Sequence, residues 1–336
     1  MPIVRHIYRY PIKGLSPQPL SNVLLEPKKP FPHDRIFALA RPGAPIDHQA
    51  PRWAKKALFV MLMLDETLAQ VKTRLDVDTL ELTIMNGNEQ LLVANLGDEG
   101  QRGEVETFFH RLVPALPGAP TLVRAPDGHF MDKPDNVISL INLATVRSLE
   151  EQWGFEIDPL RFRANIYIDG ARPWEEFDWI GRDIRIGDAL CRVDRRNGRC
   201  GATNVNPASG RRDLDIPGSL RAAFGHKDLG VYLVTRKGGQ LAVGDPVAVP
   251  HADGAQHPNG AVERMLSTGS RRFICRGCYY IYEESRGLPQ HAIAPGTPFA
   301  ILPANWRCPD CGTDKTTFRP YVAPSASKEE PSRRDA

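Results

Sequence analysis

The chain has 336 residues, 41% hydrophobic and 25% charged, and a formal net charge of +3. That length suffices for about two domains with buried cores, and the composition is that of a globular protein. No apolar run reaches the roughly 18 residues of a membrane helix, and so mild a positive charge argues against a nucleic-acid partner.

In chain order, the opening stretch "MPIVRHIYRYPIKG" lacks the long apolar core and cleavage site of a signal peptide. A cytoplasmic location is therefore expected. In that reducing compartment, cysteines at C-x-x-C spacing read as metal ligands before they read as disulfides. Val4, His6, Tyr8 and Tyr10 alternate and predict a strand with those four on one face. Leu80, Leu82 and Ile84 predict another, closed into a hairpin at Asn86-Gly87. Val105, Phe108, Phe109 and Leu112 fall on one helical stripe, and a second helix is expected from Leu143 to Trp153, with Asn142 as N-cap. Strands resume from Arg161 to Val249, including two around Gly238-Gly239. The expected fold class is mainly β with a few helices (α+β), an antiparallel body followed by a small metal-bound domain.

After Pro250 the composition turns to Gly, Ala, Ser, Asn and His with little apolar periodicity, which predicts a linker over 251–270. A compact cysteine-bearing module is expected over 271–321 and a disordered tail over 322–336. Cys275, Cys278, Cys308 and Cys311 form two C-x-x-C knuckles. Fifty residues rarely hold together by burial alone, and four thiolates make a tetrahedral site that suits zinc or iron. Spacing does not choose between those metals, and a structural zinc ribbon is the simpler reading of the spacing.

Two cysteines remain. Cys191 lies in "GDALCRVD" and reads as a packed thiol in a strand. Cys200 lies in "RRNGRCGATNVNPASG", a loop by composition. Arg195, Arg196 and Arg199 nearby would favour a reactive or metal-bound thiolate, or would simply belong to a solvated loop.

The module resembles rubredoxin on "C-x-x-C-x-Y-x-Y" at Cys275 to Tyr282, Gly287, "APGTPF" at 294–299, "LPANWRCPDCG" at 302–312, Lys315 and Phe318. The resemblance implies one iron in the four-cysteine site, an aromatic core of Tyr280, Tyr282, Phe299, Trp306 and Phe318, and one-electron transfer to another centre. Tyr279 departs from the glycine usual there.

The first 250 residues resemble MOSC-domain proteins. "GRCGATNVNPASG" looks like that domain's signature, "YPIKGL" and "HDRIFAL" like the β-barrel that precedes it, and "RFRANIYIDG" and "GDPVAV" like its start and end. The resemblance implies a barrel region over 1–118 and a MOSC domain over 119–250. It also implies a molybdopterin-type molybdenum cofactor with Cys200 as its metal ligand. Lys13 and Arg35 match family residues that hold the cofactor's phosphate and pterin. Arg163 and Asn165 match the family's "R-x-N" stretch, although Asn165 equally suits a strand end. Ser139, Asn142 and Thr203 are further candidate contacts, with plain capping the rival role for Asn142. Asn206 stands where relatives often have Asp.

Amidoxime-reducing relatives, some fused to a two-iron ferredoxin, make a reductase of small N-hydroxylated compounds the expected function, with an external reductase as upstream electron donor. The alternatives are a cofactor-binding or sulfur-transfer accessory protein and a zinc-stapled, non-catalytic binding protein.

Overall fold

The computed structural model describes residues 1–249, 271–276, 280–310 and 312–321. The linker, the tail, Cys278, Tyr279 and Cys311 lie outside these. No helix among the described residues is long and apolar enough to cross a membrane.

The body is an eight-stranded sheet in the spatial order Val247–Ala248, Asp183–Ile186, Ala189–Gly198, Asp228–Lys237, Ile138–Asn142, Ile166–Asp169, Ile3–Arg9 and Gln18–Leu20. It curls until its ends meet: Val247 N donates to Pro2 O (2.8 Å), Val4 N to Asp245 O (2.9 Å) and Gly244 N to Val4 O (2.8 Å). The interior is filled by inward residues of these strands, among them Val4, Ile7, Leu140, Ile168, Ile184, Val193, Val231 and Leu233. Closure of this kind leaves no long exposed edge.

Three expectations are corrected here. First, a bulge between Val4 and His6 shifts the register of the opening strand. Val4 and Ile7 therefore share the core, and His6 is exposed, because one extra residue reverses the alternation. Second, Ile138–Asn142 and Ile166–Asp169 pair in parallel. The helix α1 (Leu143–Trp153) lies in the connection between them, as a parallel crossover requires. Third, the strands flanking Gly238 do not form a hairpin. Gly239–Ala242 pairs with Asn22–Leu25, and Gly239 passes so close to the neighbouring chain that a Cβ there would lie 2.4 Å from the Asp188 carbonyl carbon. The opening strand sits in the same sheet as residues 138–248, and Phe37–Ala40 pairs with Thr121–Arg124.

A second apolar core joins the hairpin Glu81–Asn86 and Glu89–Asn95 to the helix Glu99–Leu112 through Leu82, Ile84, Val105 and Phe109. The hairpin loop is Gly87-Asn88, since Asn86 pairs with Glu89 and Gly87 takes φ +56°, a conformation glycine adopts without strain. The helix Ile216–Phe224, capped by Asp215, was not foreseen. The C-terminal module is a three-stranded antiparallel sheet with Arg272–Cys275 between Ile281–Glu283 and Phe318–Pro320.

Candidate functional site

Cys200 follows the strand Ala189–Gly198 and opens the short 3-10 turn Gly201–Asn204. Thr203 locks that turn: both its amide (3.1 Å) and its hydroxyl (2.9 Å) donate to the Cys200 carbonyl. The Cys200 thiol is half-buried and unbridged. It lies in an open cleft of about 820 Å³, solvent at the mouth included. The lining holds six cationic side chains, Lys13, Arg35, Lys56, Arg161, Arg163 and Arg199, against the single carboxylate of Asp132. That imbalance suits an anionic ligand.

Local backbone features place these cations. Arg35 and Arg163 both adopt left-handed conformations, φ +52° and +50°, and both line the cleft. Their guanidiniums stand over the ring of fully buried Tyr10, each 4.4 Å from its centroid. Arg35 is anchored by Asp34 and by the Arg163 carbonyl (3.0 Å). Burial disfavours its charge, yet Asp34 outweighs that and stabilises the cation. Arg163 donates to Leu15 O (2.8 Å), and burial pushes it down. Arg199 donates from Nε and Nη2 to Leu229 O and from Nη1 to Phe162 O (3.0 Å); among the described residues, neither it nor Arg163 is within ion-pair distance of a carboxylate.

Lys13 is buried and donates to Phe130 O (2.8 Å) and Asp132 Oδ1 (2.5 Å). Burial pushes its ammonium down, and Asp132 offsets part of that. Burial also pushes the Asp132 carboxyl up, but Lys13 and Lys56 outweigh it and hold Asp132 well below the usual carboxylate range.

Ser139 lines the cleft, but its hydroxyl donates to Asn165 Oδ1 (2.9 Å) and accepts from Asn165 N (3.1 Å). Asn165 is fully buried behind it and also reaches Tyr8 O (3.2 Å). Asn165 is thus a brace between strands, outside the cleft lining. Asn142, for which capping was the rival role, accepts from Ala144 N as the cap of α1 and donates to Arg172 O (2.8 Å) and Glu176 Oε2 (3.0 Å), and it is outside the cleft lining. Asn206 forms a local turn with Ala208 and Ser209 and donates to Asp213 (2.7 Å). Of Arg195, Arg196 and Arg199, the three that precede Cys200 closely in sequence, Arg199 alone lines the cleft. Arg195 pairs with Asp135 and Asp194, and Arg196 lies over Phe177. Cys191 is fully buried, and burial pushes its thiol up to about 12.

The C-terminal module packs beside this cleft, against Met61 and Met63 of its lining. Cys275 and Cys308 are buried in an apolar cluster with Tyr282, Phe299, Leu302 and Phe318, and the same cluster takes in Met61 and Met63 of the body and touches Cys200 and Ala202. Phe299 is its hub, stacked on Phe273 (4.2 Å) and packed against Phe318 (5.2 Å) and Trp306 (5.8 Å). Cys275 Sγ lies 3.3 Å from Thr313 Oγ1, a hydrogen bond of the kind that steadies a thiolate. Arg212 staples Cys200's turn to the methionine segment through Gly201 O (3.0 Å) and Met63 O (2.6 Å). Lys56, Met61, Met63, Asp132 and Arg212 carry no motif. The apolar run "ALFVMLML" was the one visible signal, and it covers Met61 and Met63 alone.

A rubredoxin family model matches residues 272–318 and a MOSC domain model matches residues 127–248. The chain is a MOSC-domain protein fused to a rubredoxin domain. Rubredoxin of Trichormus variabilis is 57% identical over 47 residues, 14% of this chain and 42% of that protein. A probable rubredoxin of Methanothermobacter thermautotrophicus is 50% identical over 50 residues, 15% of this chain and 79% of that protein. Molybdenum cofactor sulfurase of Drosophila grimshawi is 37% identical over 121 residues, 33% of this chain but only 15% of that protein. The chain thus spans less than half the length of the first and a small part of the sulfurase. The YuaD protein of Bacillus subtilis aligns over 74% of this chain and 94% of its own, at 12% identity and a TM-score of 0.34.

The donor sets of the MOSC–rubredoxin fusion fit the groups its families imply. Buried Cys275 and Cys308 in an aromatic shell suit an iron–thiolate site, with Cys278 and Cys311 completing the two knuckles in sequence. Cys200 beneath a cationic cleft suits an anionic cofactor that a thiolate can ligate.

Proposed function

We propose that the protein is a molybdenum-cofactor-dependent reductase of small N-hydroxylated compounds, with its own rubredoxin iron delivering electrons singly. The observation that carries this reading is the single apolar cluster running from Cys275 and Cys308 through Met61 and Met63 to Cys200. An iron–thiolate site does no chemistry on substrates, so its value lies in what it touches. Sulfur transfer, by contrast, makes no use of a one-electron site.

Cys200 Sγ would ligate molybdenum, with Thr203 and Arg212 fixing the turn that presents it. Lys13, Arg35 and Arg163 would hold the cofactor's phosphate-bearing end, and Tyr10 keeps the two guanidiniums side by side despite their like charge. When bound, the cofactor supplies two-electron, oxygen-accepting chemistry. The overall reaction balances as one N-hydroxyl, two electrons and two protons giving the reduced nitrogen compound and water. The electrons come singly from an external reductase and the protons from solvent. Met61 and Met63 keep water out of the seam between the two centres.

The test is metal content and a visible spectrum of protein from a host that makes the cofactor, followed by turnover of an aromatic amidoxime. Near-equal iron and molybdenum, a colour that bleaches with dithionite and amidoxime reduction support the reading. Cys200→Ser should then lose molybdenum and turnover while keeping iron. Zinc without molybdenum, or full loading without turnover, refutes it.

A further inference from the structure

Lys56 begins the short 3-10 turn Lys56–Leu58 at the rim of the cleft, and its side chain is 10% exposed. Its ammonium lies 3.5 Å from Asp310 Oδ2 and 3.9 Å from Asp132 Oδ2. Asp310 stands in the second cysteine knuckle, between Cys308 and Cys311, while Asp132 is the partner of Lys13. An alternating row, Lys13, Asp132, Lys56, Asp310, thus runs from the cofactor cleft to the iron-site loop. The knuckle comes in close at this point: a Cβ at Gly312 would sit 2.9 Å from the Ala57 Cβ.

We infer that Lys56 is a positioning residue that holds the rubredoxin domain against the cleft, and holds it more tightly when the iron is reduced. The inference rests on the iron assignment of the proposed function but not on N–O reduction. Four thiolates around ferric iron carry a net charge of −1. One electron from the external reductase makes the site ferrous and −2, with no bond made or broken and no proton moved. The added charge appears beside a cation shielded from solvent, where attraction is screened far less than at an open surface.

Lys56 therefore favours the reduced site. By reciprocity, whatever factor docking adds to reduction, reduction adds to docking. The loaded carrier is retained beside Cys200 and the spent one is released to be recharged. A purely structural ion pair would hold both forms equally.

The experiment uses the full chain, iron-loaded and made in a host without the molybdenum cofactor, titrated against dithionite while iron absorption is followed. Relative to wild type, Lys56→Gln should make reduction about tenfold less favourable, which is about 59 mV for a one-electron couple. Lys56→Arg should restore it. In wild type, amide exchange across residues 60–64 should slow by up to about tenfold on reduction. Lys56→Gln protein that keeps its iron and a potential within about twofold of wild type overturns the inference. Should that variant fail to fold, equal exchange in oxidised and reduced wild type overturns it equally. Protein that takes up only zinc sinks the iron assignment and this inference with it, whereas iron-loaded protein without amidoxime turnover sinks the proposed function alone.

Discussion

Replacing Glu176 by Gln should remove a large pH dependence from the stability of the barrel. Glu176 is fully buried in the 3-10 turn Glu175–Phe177, held by Asn142 Nδ2 (3.0 Å) and the Thr145 hydroxyl (3.0 Å). Burial pushes its carboxyl from 4.5 up to about 7, against smaller downward pulls from Asn142, the backbone, Thr145 and Arg199. A carboxyl raised on folding contributes stability that is fully present below its ordinary value and is lost as pH rises toward about 7. The gap between about 7 and 4.5, at 1.36 kcal/mol per pH unit, is on the order of 3 kcal/mol. About 2.5 kcal/mol of it falls between pH 5 and pH 8. Gln keeps the shape and cannot ionise. Urea unfolding followed by circular dichroism should therefore find Glu176→Gln gaining about 2 kcal/mol on wild type between pH 5 and pH 8. Parallel stability of the two proteins at both pH values would refute the reasoning.

Two further outcomes are expected. Cys191 should resist iodoacetamide in the native protein across neutral pH and react only on unfolding, because its thiol is fully buried and displaced to about 12; mass spectrometry of labelled peptides reads this directly. Gly239→Ala should cost about 1–3 kcal/mol and lower the Tm, because the new methyl meets the Asp188 backbone at 2.4 Å, where no flexible side chain can give way.

Some of this was legible in the sequence because local chemistry declares it. The two cysteine knuckles, the glycine-rich loop around Cys200 and the capped helix from Leu143 all depend on residues within a few positions of one another. The bulge after Val4 was not legible, since an inserted residue leaves alternation intact on either side and only the partner strand reveals the shift. Nor was the parallel pairing of Ile138–Asn142 with Ile166–Asp169, because a strand buried on both faces carries no mark of direction. Asn142 illustrates another limit. A helix-opening Asn looks the same whether it faces a ligand or a buried Glu176 thirty-four residues on. Lys56, Met61 and Met63 were hidden because their partners in the C-terminal module lie more than two hundred residues away.

The way the sheet closes dictates a timetable. Ile3–Arg9 needs Ile166–Asp169 on one side, and its neighbours need Asp245 and Val247 on the other. During synthesis Gln18–Leu20 can pair with Ile7 to Arg9 early, but Pro2 and Val4 must wait for their partners at 244–247 until nearly 250 residues have left the ribosome. The rubredoxin segment emerges only after that, and the surface it settles on, Met61 with Met63 and Cys200, exists only once the barrel is complete. A rubredoxin domain assembled late thus meets a finished dock, and a barrel that stalls leaves it with nowhere to bind.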